Sequence, residues 1–126
     1  MSIISHGVDI VECRRIAALL AKHRQRFLER ILTTGERARA DRLRHPVPHI
    51  AGRFAAKEAI LKLLGTGWRG QIAWTDIEIT NDEHGAPHVA LEGECARIAA
   101  QRGITTILLS ISHAQEYATA SAIGTK

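Results

Sequence analysis

The run from Ala51 to Gly67 constrains this chain more than any other segment. It reads as a helix with no fully polar face, closed by the turn Gly65-Thr66-Gly67. A helix that is apolar all round must lie inside a domain, with other elements packed on every side. At 3.6 residues per turn, Ala51, Phe54, Ala55, Glu58, Leu61 and Lys62 share one arc, and Glu58 and Lys62 fall within it. A carboxylate and an ammonium on an apolar arc are costly unless paired, hydrogen-bonded or bound to an ion. The bland alternative is a Glu-to-Lys pair at i,i+4, worth about 0.2–0.5 kcal/mol, which suits an exposed face better than this one.

The 126 residues make one ordinary domain, 1–126. No apolar run of about 18 residues predicts a membrane span, and the first residues lack the pattern of a secretion signal. Cys13 and Cys95 stand far apart, outside any metal-binding spacing. They read as small core hydrophobes of a cytoplasmic protein, and the seven histidines form no zinc pattern with them. The net charge of +4 is unevenly spread. Residues 1–63 carry 13 Lys/Arg against 6 Asp/Glu, and residues 64–126 carry 4 against 7. The excess lies mainly between Arg14 and Arg44. Unless it is merely a solvated face, such a surface calls for an anionic partner: nucleic acid, a phosphorylated ligand or an acidic protein.

Pattern along the chain predicts an α+β domain in which an antiparallel sheet packs with the long central helix. Ile3 to Asp9 reads as a short strand, with Asp9 at or near its end and Gly7 marking a close approach or bulge. Val11 to Lys22 and Arg26 to Leu32 read as two helical stretches. Thr33-Thr34-Gly35-Glu36 has the form of a capping box that starts a helix carrying Arg37, Arg39 and Arg42. Pro46 and Pro48 break the pattern before the central helix, which runs to about Leu64. Ile77 to Thr80 and Val89 to Leu91 form a hairpin around a turn-like Asn81 to Pro87. Glu92 to Arg102 reads as a helix. Thr106 to Ser112 and Tyr117 to Ile123 read as two further strands joined by a turn.

Three polar groups are candidates to converge: Asp9, Glu58 and His113. Two carboxylates offer oxygen ligands to a hard cation such as Mg²⁺, which often uses one or two protein carboxylates, water and substrate phosphates. Arg53, Lys57 and Lys62 on the same helix suit a polyphosphate. Glycines at the helix end permit close backbone approach to a ligand. These features point to an enzyme acting on a phosphate-bearing ligand.

At the same residues the chain resembles the holo-[acyl-carrier-protein] synthase family of small, single-domain 4′-phosphopantetheinyl transferases. The likeness runs from Gly7-Val8-Asp9-Ile10-Val11-Glu12 and Arg15 through Phe27-Leu28-Glu29-Arg30-Ile31-Leu32-Thr33 and Glu36. It continues with Gly52-Arg53-Phe54-Ala55-Ala56-Lys57-Glu58-Ala59, Lys62 and Gly65-Thr66-Gly67. It closes with Asp76-Ile77-Glu78-Ile79, Gly85-Ala86-Pro87 and Ser110-Ile111-Ser112-His113. It departs from the family pattern in Arg42 to Ile50 and in Trp68-Arg69-Gly70.

The resemblance implies transfer of the 4′-phosphopantetheine arm of coenzyme A to a serine of apo acyl carrier protein, in fatty acid biosynthesis. Adenosine 3′,5′-bisphosphate is the other product. It implies that Asp9 and Glu58 hold Mg²⁺, and that Lys62 contacts the phosphates. It places His113 in the coenzyme pocket, with Arg53, Lys57, Gly65 and Thr66 as further candidates there. Two general bases are left open, Glu58 itself or a metal-bound water. Carrier protein is expected to dock on Arg15, with Arg14, Lys22, Arg24 and Arg26 as neighbours. Family members assemble as trimers with a coenzyme site at each subunit interface. A basic nucleic-acid-binding module is the rival class. It accounts for the arginines but not for Glu58 and Asp9, and aromatic residues, at 4%, are too few for a base-stacking platform. An inactive, carrier-binding family member is a second rival, against which stands the presence of every motif residue.

Overall fold

The structure, a computed structural model, describes residues 2–65 and 72–126. In chain order the elements are β1 (Ile3–Glu12), α1 (Cys13–Ile31), α2 (Thr34–Asp41), α3 (Pro46–Leu64), a single 3₁₀ turn (Trp74–Asp76), β2 (Ile77–Asn81), β3 (Pro87–Leu91), α4 (Gly93–Gln101), β4 (Thr106–His113) and β5 (Tyr117–Thr125). Among these, β1, β5 and β4 make one antiparallel sheet in that order, and β2 pairs with β3 in a second. The expected α+β architecture stands, and the antiparallel sheet is divided in two.

Helix α3 is the axis of the domain. From Ile50 to Leu64 every residue is buried except Glu58 and Lys62. It lies across the inner face of the three-stranded sheet. Near its start Gly52 packs on Ile111 of β4. Further on, Gly7 of β1 lies directly against the Ala59 and Leu63 backbone. The small inward residues Ala118, Ala120 and Ala122 of β5 let the helix approach. On the other side of α3, helix α1 buries Ile16, Leu20, Phe27, Leu28 and Ile31. Phe27, Phe54 and Trp74 stack in series between them.

Several element boundaries differ from the sequence reading. β1 runs on to Glu12, so Asp9 sits within the strand opposite Ala120 instead of at its end. The two early helical stretches both form and run together as α1, meeting at His23, whose φ of −139° and ψ of 39° are not helical. Pro46 and Pro48 begin α3 and do not precede it. The first turn has no intrahelical use for their missing N–H groups, so proline is tolerated there. The capping box at Thr33 and Glu36 forms as expected, with both reciprocal hydrogen bonds made.

The outer face of the three-stranded sheet has no covering element among the described residues. Val8 and Ile10 of β1 and Leu108 of β4 are about half exposed there.

Candidate active site

Gly7 sets the geometry of the first cluster. With no side chain at Gly7, β1 lies against the α3 backbone, and Asp9, two residues on and facing the same way, meets the open margin of that helix marked by Glu58 and Lys62. Lys62 Nζ donates to Asp9 Oδ1 at 3.0 Å and to the Val8 carbonyl at 3.0 Å. The Lys62 side chain is 55% exposed and that of Asp9 18%, so the pair is reachable from solvent. Glu58 is half-buried one turn before Lys62, on the same helix face. The arc thus splits in the fold: Ala51, Phe54, Ala55 and Leu61 go inward, and the two charged residues mark its open margin.

The donor set of this cluster fits a hard divalent cation. It presents two carboxylates from two rigid elements, and the ammonium on Asp9 shows that a positive charge is accommodated there. No group of three or more His, Cys, Asp or Glu is arranged to hold a metal among the described residues. A cation bound here would have two protein carboxylates, with water and ligand oxygens to complete its shell, as Mg²⁺ tolerates.

A second cluster lies at the opposite edge of the sheet. A cavity of about 260 Å³ is lined by Arg39, His49, Arg53, Asn81, Ile111 and His113. Arg53 is almost fully buried, and its Nη2 donates to Asn81 Oδ1. His49 is pushed down to about 4, chiefly by burial and then by the charges of Arg53, Arg39 and His113. Burial likewise lowers the Arg53 guanidinium, against an opposing pull from Glu36. His113 stands with Arg53 and not with Asp9. β1 and β4 are separated by β5, so the two edges lie about 10 Å apart at the ordinary strand spacing.

Lys57 does not reach either cluster. It is fully buried, and its ammonium donates to Glu36 Oε1 at 2.6 Å, to the Ile31 carbonyl at 2.7 Å and to the Trp74 carbonyl at 3.2 Å. Glu36 also accepts from the Thr33 and Ile79 N–H groups. Lys57 is thus a structural cation that ties α1, α2, α3 and the 3₁₀ turn together, which corrects its reading as a pocket residue. Gly65 ends α3 with φ of 76°, its N–H bonded to the Leu61 and Lys62 carbonyls. Arg102, the residue after α4, donates to the Leu63 carbonyl at 2.7 Å beside it. Thr66 and Gly67 lie outside the described residues.

The basic residues of α1 are displayed as a surface. Arg14, Arg15, Lys22, Arg24 and Arg26 are all exposed. Arg14 pairs with Glu12 at 2.9 Å, and the Arg15 guanidinium sits 5.4 Å from the Phe54 ring centre. The kink at His23 separates Lys22 from Arg24 and Arg26.

Sequence reasoning missed His49, Arg39 and Asn81 as members of the second cavity. The spacing of His49 and Arg53, four apart on one helix face, was the available signal. Asn81 is brought in only by the hairpin fold.

The model of the 4′-phosphopantetheinyl transferase superfamily matches residues 5–122, and the chain belongs to that family. It is 50% identical to a holo-[acyl-carrier-protein] synthase of Caldanaerobacter subterraneus, over 93% of this chain and 91% of that one. Its fold is similar to that of the holo-[acyl-carrier-protein] synthase of Neisseria meningitidis, with a TM-score of 0.90 and 35% identity, covering 99% of this chain and 100% of that one. It is also similar to the Bacillus anthracis holo-(acyl-carrier-protein) synthase solved in complex with CoA (3′,5′-ADP). There the TM-score is 0.80 and the identity 39%, covering 97% and 96% of the two chains.

Proposed function

We propose that this chain transfers the 4′-phosphopantetheine arm of coenzyme A to a serine hydroxyl of apo acyl carrier protein. The products are holo acyl carrier protein and adenosine 3′,5′-bisphosphate. The observation that carries the proposal is the meeting of Asp9 with Lys62, one turn from Glu58, in a chain so close to known synthases.

Asp9 and Glu58 are the residues to hold Mg²⁺. When bound, Mg²⁺ neutralises pyrophosphate charge and so favours attack at the β-phosphorus. Lys62, held by Asp9 and the Val8 carbonyl, brings an exposed ammonium to the same place. It serves to contact the phosphates and to neutralise the leaving group as charge builds on it. The serine oxygen forms the new bond to phosphorus, and the bond from phosphorus to the bridging oxygen breaks. The serine proton goes to Glu58 or to water. The cationic cavity of Arg53 and His113 suits the adenosine phosphates of the coenzyme. It lies about two strand spacings from Asp9, at the other edge of the sheet. That separation, with the uncovered apolar sheet face, supports assembly of copies, and we infer a trimer. Arg15 and the exposed cations of α1 supply the face for an acidic carrier protein. Both cysteines are buried free thiols, in keeping with a cytoplasmic setting, and no helix among the described residues is long and apolar enough to cross a membrane.

Intact-mass spectrometry of apo acyl carrier protein incubated with this chain, coenzyme A and Mg²⁺ tests the reading. A gain of about 340 Da, the mass of the covalent arm, is expected, and it should vanish with chelator. Glu58→Gln should abolish the gain while keeping much of the coenzyme affinity. Near-normal turnover by that variant removes Glu58 from both proposed roles.

A further inference from the structure

The cavity around Arg53 is lined by Arg39 from α2, His49 and Arg53 from α3, His113 from β4 and the neutral Asn81 from β2, and among the described residues no carboxylate lines it. Glu36 acts on Arg53 through space, but its oxygens are already engaged by Lys57 and two backbone N–H groups. Two polar atoms here, His49 Nε2 and Arg53 Nε, are buried and meet no hydrogen-bond partner among the described residues. Buried polar atoms in native proteins are seldom left so without a use. Both sit on one face of α3, and both serve a cavity built only of cations and neutral groups.

We propose that His49 is an anion contact of this cavity and couples ligand binding to proton uptake. Its Nε2 hydrogen-bonds a phosphate-monoester oxygen, and the ring gains one proton from solvent as that anion enters. The proposal rests on the coenzyme reading given above.

The electrostatics give the direction. Without an anion, burial and then the charges of Arg53, Arg39 and His113 keep the ring neutral down to about pH 4. A phosphate dianion among those cations cancels their field and favours the imidazolium. Binding therefore takes up a proton at any pH between about 4 and the raised value. Over that window it strengthens as pH falls, against the loss from protonation of the phosphate itself near pH 6.

Titration calorimetry of the full chain with adenosine 3′,5′-bisphosphate, at pH 5.5 and 7.5 in buffers of unequal ionisation enthalpy, reads the coupling. At pH 5.5 the parent protein should take up close to one proton more than His49→Gln and bind roughly tenfold tighter, with the difference small at pH 7.5. His113→Gln should keep the His49-dependent uptake. Histidine ring NMR of the parent protein gives the same answer without a variant. The His49 midpoint should rise from about 4 by two units or more at ligand saturation. Equal uptake by parent and His49→Gln, or a midpoint unmoved by ligand, overturns the proposal and leaves the coenzyme reading intact. A parent protein that binds no bisphosphate overturns both.

Discussion

Replacing Gly7 by alanine tests the geometry on which the first cluster depends. A Cβ there lies 2.1 Å from the Ala59 carbonyl oxygen and 2.9 Å from the Leu63 nitrogen. Both are helix backbone and cannot swing aside. A carbon–oxygen contact needs about 3.3 Å, so strand and helix must part by roughly 1.2 Å. Overpacking of this kind costs about 1–3 kcal/mol, and rigid backbone on both sides sets the upper end, about 3 kcal/mol. For a domain of this size that is a fall of about 12 °C in Tm. The same displacement would stretch the 3.0 Å Asp9–Lys62 contact to about 4 Å. Misplacement by about 1 Å lowers turnover on the order of 100-fold even in the folded fraction. The control is Gly85→Ala, where φ is 84° and no atom lies within 4 Å of the added carbon. Only backbone strain is introduced there, about 1 kcal/mol or 4 °C. Thermal unfolding by circular dichroism and single-turnover transfer read the two effects. A Gly7→Ala protein that melts no lower than Gly85→Ala refutes the reasoning.

Three other outcomes are expected. Glu36→Gln leaves the Lys57 ammonium buried without its carboxylate and should cost about 3–5 kcal/mol by urea unfolding, and Lys57→Met, which leaves the Glu36 carboxylate buried without its cation, should cost a similar amount. His49 has a folded-state value of about 4, below its ordinary 6.5, so the unfolded chain binds more protons between them. Stability is then lost as pH falls through that window, by about 2 kcal/mol after allowance for partial solvent screening. His49→Gln should flatten this part of the pH–stability curve. Arg15→Glu should weaken acyl carrier protein binding and its salt dependence while leaving coenzyme A affinity within about twofold, measured by calorimetry at two ionic strengths. Equal loss of both affinities refutes a docking role for Arg15.

What the sequence made legible was local. Helix α3, the Thr33–Glu36 capping box and the β2–β3 hairpin each rest on residues within a few positions of one another, and all three form. The end of β1 was misjudged because its limit is set by pairing with β5, more than 100 residues away. Asp9 and Lys62 could be nominated from chemistry, but their contact depends on Gly7, whose role is visible only against the helix. Lys57 misleads for the same reason. A charge on an apolar helix looks like a ligand group until its partner is located, and Glu36 on its own reads as a cap. His49 carried little signal, because its meaning comes from Arg39 and His113, which arrive from other elements.

The Lys57 ammonium has a kinetic consequence. Its three acceptors, Ile31, Glu36 and Trp74, lie 26, 21 and 17 residues from it. None can be met until α1, α2 and the 3₁₀ turn have closed on α3. Contacts of this kind slow opening to the extent that they form after the folding transition state. The unfolding and refolding rates of Lys57→Met therefore date the closure of this lock: faster unfolding alone puts it after the transition state, and slower folding puts it before.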